Sequence, residues 1–329
     1  MHAPRFWYGN NPSASILGAL ISPLGALYRL GTKIKNSRIA PYRTRAKVVC
    51  VGNLTLGGTG KTPVAIAVAE RLRARGLNVF ILSRGYGGRM EGPVVVDPER
   101  HGASEVGDEP LLLAKAATTI VARDRAAGAR LADEQGADVI VMDDGHQNLS
   151  LTKDFSLVVV DAEAGFGNGR VFPAGPLRET IKEGLERADA VVLVGKGAPD
   201  LGGFAGAVLA ADFAPDEPEA LAEKKVVAFA GIGRPEKFFA MLSENGARVV
   251  AARGYDDHHV YSAADLRALR ALATRFAADL VTTVKDFVRL PHEERSRITP
   301  VAIRARFQDD GALDRVLDKL GSNPATPSP

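Results

Sequence analysis

The sequence predicts an α/β protein built as two parallel-sheet units, the second smaller than the first, with an amphipathic helix ahead of them. Three observations carry this. Short Val/Ile-rich runs alternate with helix-period segments along most of the 329 residues, the pattern of parallel sheets whose crossovers are helices. One of these runs, Lys47-Val48-Val49-Cys50-Val51-Gly52, breaks into glycines and then into a helix. A composition shift at Ala214-Pro215-Asp216-Glu217-Pro218 separates a first set of strands from a second.

An apolar share of 46% and a charged share of 25% are those of an ordinary soluble globular protein, long enough to bury two cores. The lone cysteine, Cys50, can form no internal disulfide, which fits a reducing compartment. No CxxC or His-rich cluster marks a structural zinc site. The net charge of +3 is unevenly spread: Met1 to Ala69 holds nine Lys or Arg and no Asp or Glu, leaving 33 basic and 39 acidic residues for the rest. A basic end on a mildly acidic chain points to a partner surface, and no nucleic acid is expected as partner.

Residues 1–40 form the expected N-terminal segment. Ile16, Leu17, Leu20, Ile21, Leu24, Leu27, Tyr28 and Ile34 recur at helical spacing, with Arg29, Lys33, Lys35 and Arg38 at the far end. The apolar part is about 15 residues against the ~20 that cross a bilayer, so it should not span. It either lies in a membrane interface, basic end near anionic headgroups and helped by Trp7 and Tyr8, or packs on the domain as an ordinary amphipathic helix. The pattern of a cleaved signal peptide is absent.

Residues 41–215 are expected to form the first α/β unit. Its strand at 47–52 leads into Thr55-Leu56-Gly57-Gly58-Thr59-Gly60-Lys61-Thr62-Pro63, a phosphate-cradling loop opening a helix. Glycines let successive N–H groups turn toward a polyphosphate, and the helix adds its positive end. Lys61 would place a charge on the terminal phosphates, and the Thr62 hydroxyl would ligate magnesium. Pro63 suits a first helical turn. The strict pattern wants glycine where Thr55 stands, so the match is near rather than full.

Val79 to Leu82 is the next strand, followed by Ser83-Arg84-Gly85-Tyr86-Gly87-Gly88 and a short strand at Val94 to Val96. Gly107-Asp108-Glu109-Pro110 introduces a helix reaching Ala117, where Asp108 reads either as an N-cap or as a functional carboxylate. Thr119 to Ala122 and a helix from Asp124 to Gln135 follow. Asp138 to Met142 is a strand that delivers Asp143 and Asp144 to the same rim, where one of them would hold magnesium. Leu157 to Asp161 and Ala190 to Val194 continue the series. The Gly/Pro-rich connection between them contains Arg178, which would contact a phosphate of the substrate or form a surface salt bridge.

Residues 216–320 make the smaller unit, with strands at 226–229, 249–251, 280–283 and 301–303, and residues 321–329 read as a disordered tail. Two points in it carry chemistry. Asp256-Asp257-His258-His259-Val260-Tyr261 supplies an imidazole, and Lys285-Asp286 follows a strand end. A metal site on the adjacent His pair is not expected.

The runs VGNLTLGGTGKTP, SRGYGG, GDEP, VMDDGHQN, FPAGPLRE, DHH-x-Y and TTVKD occur in this order across residues 48–287. Together they resemble the tetraacyldisaccharide 4'-kinases of lipid A biosynthesis. The resemblance implies a P-loop-kinase-like fold with two units flanking a cleft. It also implies transfer of the ATP γ-phosphate to the 4'-hydroxyl of a tetraacylated disaccharide 1-phosphate, giving lipid IVA. A Mg2+ requirement and a peripheral place on the cytoplasmic face of the bacterial inner membrane follow from it, which favours the membrane reading of the N-terminal helix. Carried over by position, Asp108 matches the general base and His258 its imidazole partner, while Lys61 and the loop from Thr55 to Thr62 bind ATP. Thr62 with Asp143 or Asp144 would hold Mg2+. His146 stands where the family usually has an aromatic, which puts its role in doubt, and a monomer is expected. The competing reading is a non-kinase P-loop ATPase or GTPase acting on a membrane partner, although no Asn-Lys-x-Asp guanine signature is present.

Overall fold

The computed structural model describes residues 4–9 and 12–320, so the tail at 321–329 lies outside the described residues. The strands are β1 (Lys47–Gly52), β2 (Val79–Ser83), β3 (Val94–Val95), β4 (Thr118–Val121), β5 (Val139–Asp143), β6 (Phe155–Asp161), β7 (Ala190–Val194), β8 (Ala207–Pro215), β9 (Lys225–Ala230), β10 (Arg248–Gly254), β11 (Asp279–Thr283), β12 (Ile298–Val301) and β13 (Ile303–Phe307). The helices are α1 (Pro12–Asn36), α2 (Lys61–Ala74), α3 (Ala103–Val106), α4 (Asp108–Leu113), α5 (Arg125–Glu134), α6 (Ile181–Leu185), α7 (Pro235–Glu244), α8 (Ala263–Phe276), α9 (Val284–Phe287), α10 (His292–Arg295) and α11 (Asp310–Leu317).

A nine-stranded sheet runs β13-β8-β7-β6-β1-β5-β2-β4-β3, parallel except for its two edges, and a four-stranded parallel sheet runs β10-β9-β11-β12. The fold is the α/β architecture expected, with a large parallel-dominated sheet and a smaller second unit. β1 lies between β5 and β6, where the chain order reverses and open parallel sheets present their ligand crevice. Its residues alternate between two cores. Val49 and Val51 join Val64, Val68 and Leu72 of α2, whereas Val48 and Cys50 join Ala129 and Ala132 of α5 on the opposite face. Burial on both faces explains why these strands read as continuous Val/Ile runs.

The expected strand at 301–303 is two strands in different sheets. β12 ends at Val301 in the small sheet, and β13 starts at Ile303 against β8. Ala302 lies between them, its carbonyl accepting the Asp216 N–H at 2.9 Å. The chain therefore passes between the units twice, side by side. Residues 303–320, which the sequence places in the C-terminal unit, instead close the large sheet and bury Leu313, Val316 and Leu317 in its core. β8 is absent from the expected strands because its run, AVLAADFAP, is alanine-rich rather than β-branched. The helix expected through Ala117 ends at Leu113.

α1 continues through Pro23 for 25 residues. One face is docked: Gly25 lies against the Val171 carbonyl, Arg170 donates to the Ser22 hydroxyl at 2.6 Å, and Arg29 pairs with Glu183 at 2.8 Å. Trp7 donates to the Pro173 carbonyl, and Trp7 and Tyr28 set their edges against Phe172. The other face is bare. Ile16, Leu17, Leu20, Leu24, Leu27, Leu30 and Ile34 are between 42% and 74% exposed. Among the described residues no helix is long and apolar enough to cross a membrane.

Candidate active site

The phosphate loop joins β1 to α2. Asn53 is fully buried and its amide donates to the Thr55 carbonyl, while the Leu56 N–H donates to the Pro176 carbonyl at 2.7 Å. Thr55 itself bridges to Leu177 and is not among the described residues with a left-handed backbone, so nothing at this position demands the missing glycine. Gly60 is different. Its φ is +85°, and a β-carbon there would sit 2.0 Å from the Phe213 ring. Gly60→Ala is therefore expected to cost about 1–3 kcal/mol through backbone strain, with a further loss from displacing β8. A lowered Tm together with weakened nucleotide binding checks this, and an unchanged Tm contradicts it.

Lys61 is the first residue of α2, and its Nζ lies 3.7 Å from Asp144 Oδ1. The two aspartates divide as the strand geometry requires. Asp143 is the last residue of β5, buried, with Oδ1 lacking any hydrogen-bond partner. Burial, reinforced by the charges of Glu109 and Asp144, pushes its carboxyl up to about 7. Asp144 leaves the strand with φ +51° and turns to Arg178, which donates to both its oxygens at 3.1 and 3.4 Å. Burial opposes its ionised form, but Lys61 and Arg178 outweigh that and hold its carboxyl below the usual range. Arg178, expected to contact substrate, is thus engaged by Asp144 and Gln147, with its Nε buried and unpartnered.

At the mouth of the same rim the two units meet. The Asp108 side chain does not cap α4: Gly107 is the N-cap, and Asp108 Oδ1 accepts its neighbour Glu109's N–H at 2.8 Å. His258 Nδ1 comes from the second unit to 3.2 Å from Asp108 Oδ2. Arg289 reaches the same oxygen through Nε at 2.9 Å and Nη2 at 2.8 Å. Burial would raise the Asp108 pKa, but the His258 hydrogen bond and the charges of Lys285 and Arg289 drive it well below the carboxylate range. The His258 pKa is raised, chiefly by that same hydrogen bond. Its φ of +59° is rare for a non-glycine residue and is the kind of local strain that gathers at functional sites. Lys285 pairs with Glu109 at 2.7 Å, and Lys237 of the second unit pairs with Asp161 at the end of β6 at 2.8 Å.

His259 and His146 are both held in packing contacts away from this pair. His259 stacks on Tyr255 and holds Asp265, the residue that completes the capping box of α8. His146 is buried, bonded at Nε2 to the Gly184 carbonyl, and packed so closely on Gly52 that a β-carbon there would lie 2.5 Å away. Burial pushes its pKa down to about 4. Among the described residues no three His, Cys, Asp or Glu side chains converge to hold a metal by themselves. Arg289 lies in none of the sequence motifs. Its one signal is the Asp286-x-x-Arg289 spacing, which fits the single turn that follows α9, where the Arg289 N–H donates to the Asp286 carbonyl at 3.0 Å.

A family model for tetraacyldisaccharide-1-P 4'-kinase, LpxK, matches residues 17–321. The chain belongs to this family. It is 50% identical over 328 residues to the tetraacyldisaccharide 4'-kinase of Rhodospirillum rubrum, covering 97% of this chain and 98% of that one. The corresponding protein of Dinoroseobacter shibae is 47% identical over 332 residues, with 98% of both chains covered. A crystal structure of Aquifex aeolicus LpxK in complex with ATP superposes with a TM-score of 0.71 at 25% identity, covering 92% of this chain and 99% of that chain. As a member of the LpxK family the chain is a kinase by descent, and its phosphate loop, Asp143 and the Asp108–His258 pair share one rim of the large sheet.

Proposed function

We propose that the protein transfers the γ-phosphoryl group of ATP to the 4'-hydroxyl of a tetraacylated disaccharide 1-phosphate in lipid A biosynthesis. The observation that carries this is the meeting of a phosphate loop on one unit with a buried carboxylate–imidazole pair bridging to the other. Family membership supports the substrate. No feature favours the regulatory ATPase or GTPase reading. The test is acceptor dependence: ADP release should rise severalfold on adding the lipid acceptor in micelles, and ADP release indifferent to acceptor would remove the proposal.

Phosphoryl transfer asks the protein mainly for positioning and charge stabilisation. The amides from Thr55 to Thr62 and Lys61 would hold the β- and γ-phosphates at the N-terminus of α2. Thr62 and Asp143, with Asp144 beside them, fit a magnesium site, because Asp143 Oδ1 is a buried oxygen with no protein partner and magnesium is usually bound by one or two protein groups plus phosphates. Bound there, the ion would neutralise charge developing on the phosphates. Asp143→Asn is expected to raise the Tm of the ligand-free protein, since it removes an uncompensated buried charge, and to reduce the extra Tm gain that magnesium adds to ATP. A magnesium-dependent gain equal to wild type would take Asp143 out of the site. The Asp108–His258 pair would deal with the proton of the acceptor hydroxyl.

The bare face of α1 would lie in the interface of the inner membrane, on its cytoplasmic side, bringing the site to its lipid acceptor. The exposed leucines and the acid-free sequence around them support this. Changing Leu20, Leu24 and Leu27 together to Ser removes three side chains worth about 1.5–3 kcal/mol each on full burial. It should cut binding to vesicles with anionic lipids at least tenfold while leaving the Tm within about 1 °C, because these side chains contribute little to the core. Vesicle binding equal to wild type would end the membrane role of this face.

A further inference from the structure

We infer that contact of α1 with a lipid surface draws the second unit down over the phosphate loop, by way of Trp7, the loop after β6 and a bridge from Asp161 to Arg234 and Lys237. This rests on the membrane reading of α1 above and names a regulation of the same site. Nucleotide is held more tightly at the surface that carries the lipid acceptor.

The second unit is joined to the first by two adjacent passes, at Pro215-Asp216 and at Ala302. The boundary is crossed by ion pairs: Asp108 with His258 and Arg289, Glu109 with Lys285, and Asp161 with Arg234 and Lys237. Units joined in this way move relative to each other unless a large apolar interface holds them, and two short crossings make a hinge. The loop after β9 is what such a motion carries. A β-carbon on Gly233 would lie 3.6 Å from the Gly58 backbone nitrogen, so this loop lies on the phosphate loop. Arg234 follows directly and is tied to the far side of the cleft from His258.

Asp161 ends β6 and gives its two oxygens to different units. Oδ1 accepts the Glu163 and Ala164 N–H groups at 3.2 and 3.0 Å, which shapes the turn that follows. Oδ2 pairs with Arg234 and accepts from Lys237 Nζ at 2.8 Å, and Lys237 also reaches Glu163 at 3.0 Å. Further along the same loop, Asn168 holds the N-terminal segment. Its N–H donates to the Trp7 carbonyl at 2.7 Å, and its Nδ2 donates to the Phe6 and Ala174 carbonyls at 3.4 and 2.9 Å. Gly167 has φ +59°, and a β-carbon there would lie 2.6 Å from the Trp7 carbonyl oxygen. Trp7 is tied to α1 through Phe172, whose ring meets both Trp7 and Tyr28. Tyr8 stands near the bridge itself: burial raises its pKa, and the charges of Arg234 and Asp161 act on it in opposite directions.

A lipid interface acts on these contacts in two ways. It holds the exposed rings of Tyr8, Tyr28 and Phe172, so the loop that carries Asp161 is already fixed when the second unit arrives, and less ordering entropy opposes the pairing. It also shields a bridge whose cations are partly open to water. Water and salt weaken such pairs, and less polar surroundings strengthen them. The coupling is reciprocal, so nucleotide that favours the closed arrangement favours lipid binding by the same factor.

The test measures binding of the non-hydrolysable analogue AMP-PNP, with magnesium, to the full-length protein with and without vesicles of phosphatidylethanolamine and phosphatidylglycerol. In wild type the vesicles should tighten AMP-PNP binding about fivefold or more, and AMP-PNP should tighten vesicle binding by the same factor. Amide hydrogen exchange in residues 231–238 should slow when vesicles are added. Asp161→Asn, whose amide oxygen still accepts from Glu163 and Ala164, should bind vesicles as wild type does while the vesicle effect on AMP-PNP disappears. Arg234→Gln combined with Lys237→Gln should do the same, and so should Trp7→Leu, which cuts the path at its other end. Lys182→Gln, which removes an exposed charge away from the path, should keep the effect. A wild type that binds vesicles with no change in AMP-PNP affinity overturns the inference. An undiminished effect in Asp161→Asn, or its loss in Lys182→Gln, overturns it equally. If wild type does not bind the vesicles at all, the membrane reading of α1 is lost and the coupling falls with it. Neither readout involves phosphoryl transfer, so failure of the kinase reading shows separately, in the acceptor assay.

Discussion

Lys61→Ala is expected to lower kcat by about 10²–10³, the range seen when one preorganised donor to developing charge is removed. The reason is positional. Lys61 opens α2 directly after Gly60 and is 12% exposed, with Asp144 3.7 Å away to hold its ammonium over the loop. Its loss leaves the loop amides and the helix end in place, so ATP affinity should fall less than turnover. Single-turnover rates with saturating ATP, set beside equilibrium ATP binding, separate the two. Near-normal kcat would mean that the loop from Thr55 to Thr62 does not hold the reacting phosphates.

Asp108→Ala is expected to cost about 10³-fold or more in turnover while sparing ATP binding, since neutralising the carboxylate of a carboxylate–imidazole pair costs about 10⁴ in hydrolytic triads. It also leaves Arg289, 9% exposed, short of a carboxylate, although Asp286 and the Gly231 carbonyl remain to it. Some Tm loss should therefore accompany the activity loss. Asp108→Asn keeps the shape but removes the charge, and because that change alone costs about 10⁴ in hydrolytic triads, it should lose comparable activity with less loss of Tm. Turnover within a few-fold of wild type in Asp108→Ala would exclude Asp108 from the reaction altogether.

Those parts of the site that are contiguous along the chain are legible from residue order alone. A buried strand, glycines and a helix opening with Gly-Lys-Thr force a phosphate loop at one place, and 47–63 fold that way. The juxtaposition of Asp108 with His258 comes from motif resemblance, and the 3.2 Å approach agrees with it. Local pattern alone leaves Asp108 open to a helix-cap role, which it does not have. Arg289 pairs with Asp108 across 181 residues, and nothing local marks a contact that exists only when two sheets close on each other. The split between Asp143 and Asp144 is equally invisible in the sequence, because it depends on where β5 ends and the chain turns left-handed. The same limit applies to 303–307. A Val-Ala-Ile run reads as one strand, yet a single residue, Ala302, carries the chain from one sheet to the other.

The activity proposed for this site is phosphorylation of one hydroxyl of a membrane lipid. Incubation with magnesium, γ-labelled ATP and a tetraacylated disaccharide 1-phosphate in micelles, followed by product analysis, tests it most directly. The expected product is a bisphosphorylated lipid with the new phosphate on the 4'-oxygen, formed in step with ADP. ATP consumed with the label appearing only as inorganic phosphate, or a label placed on another oxygen, would contradict it.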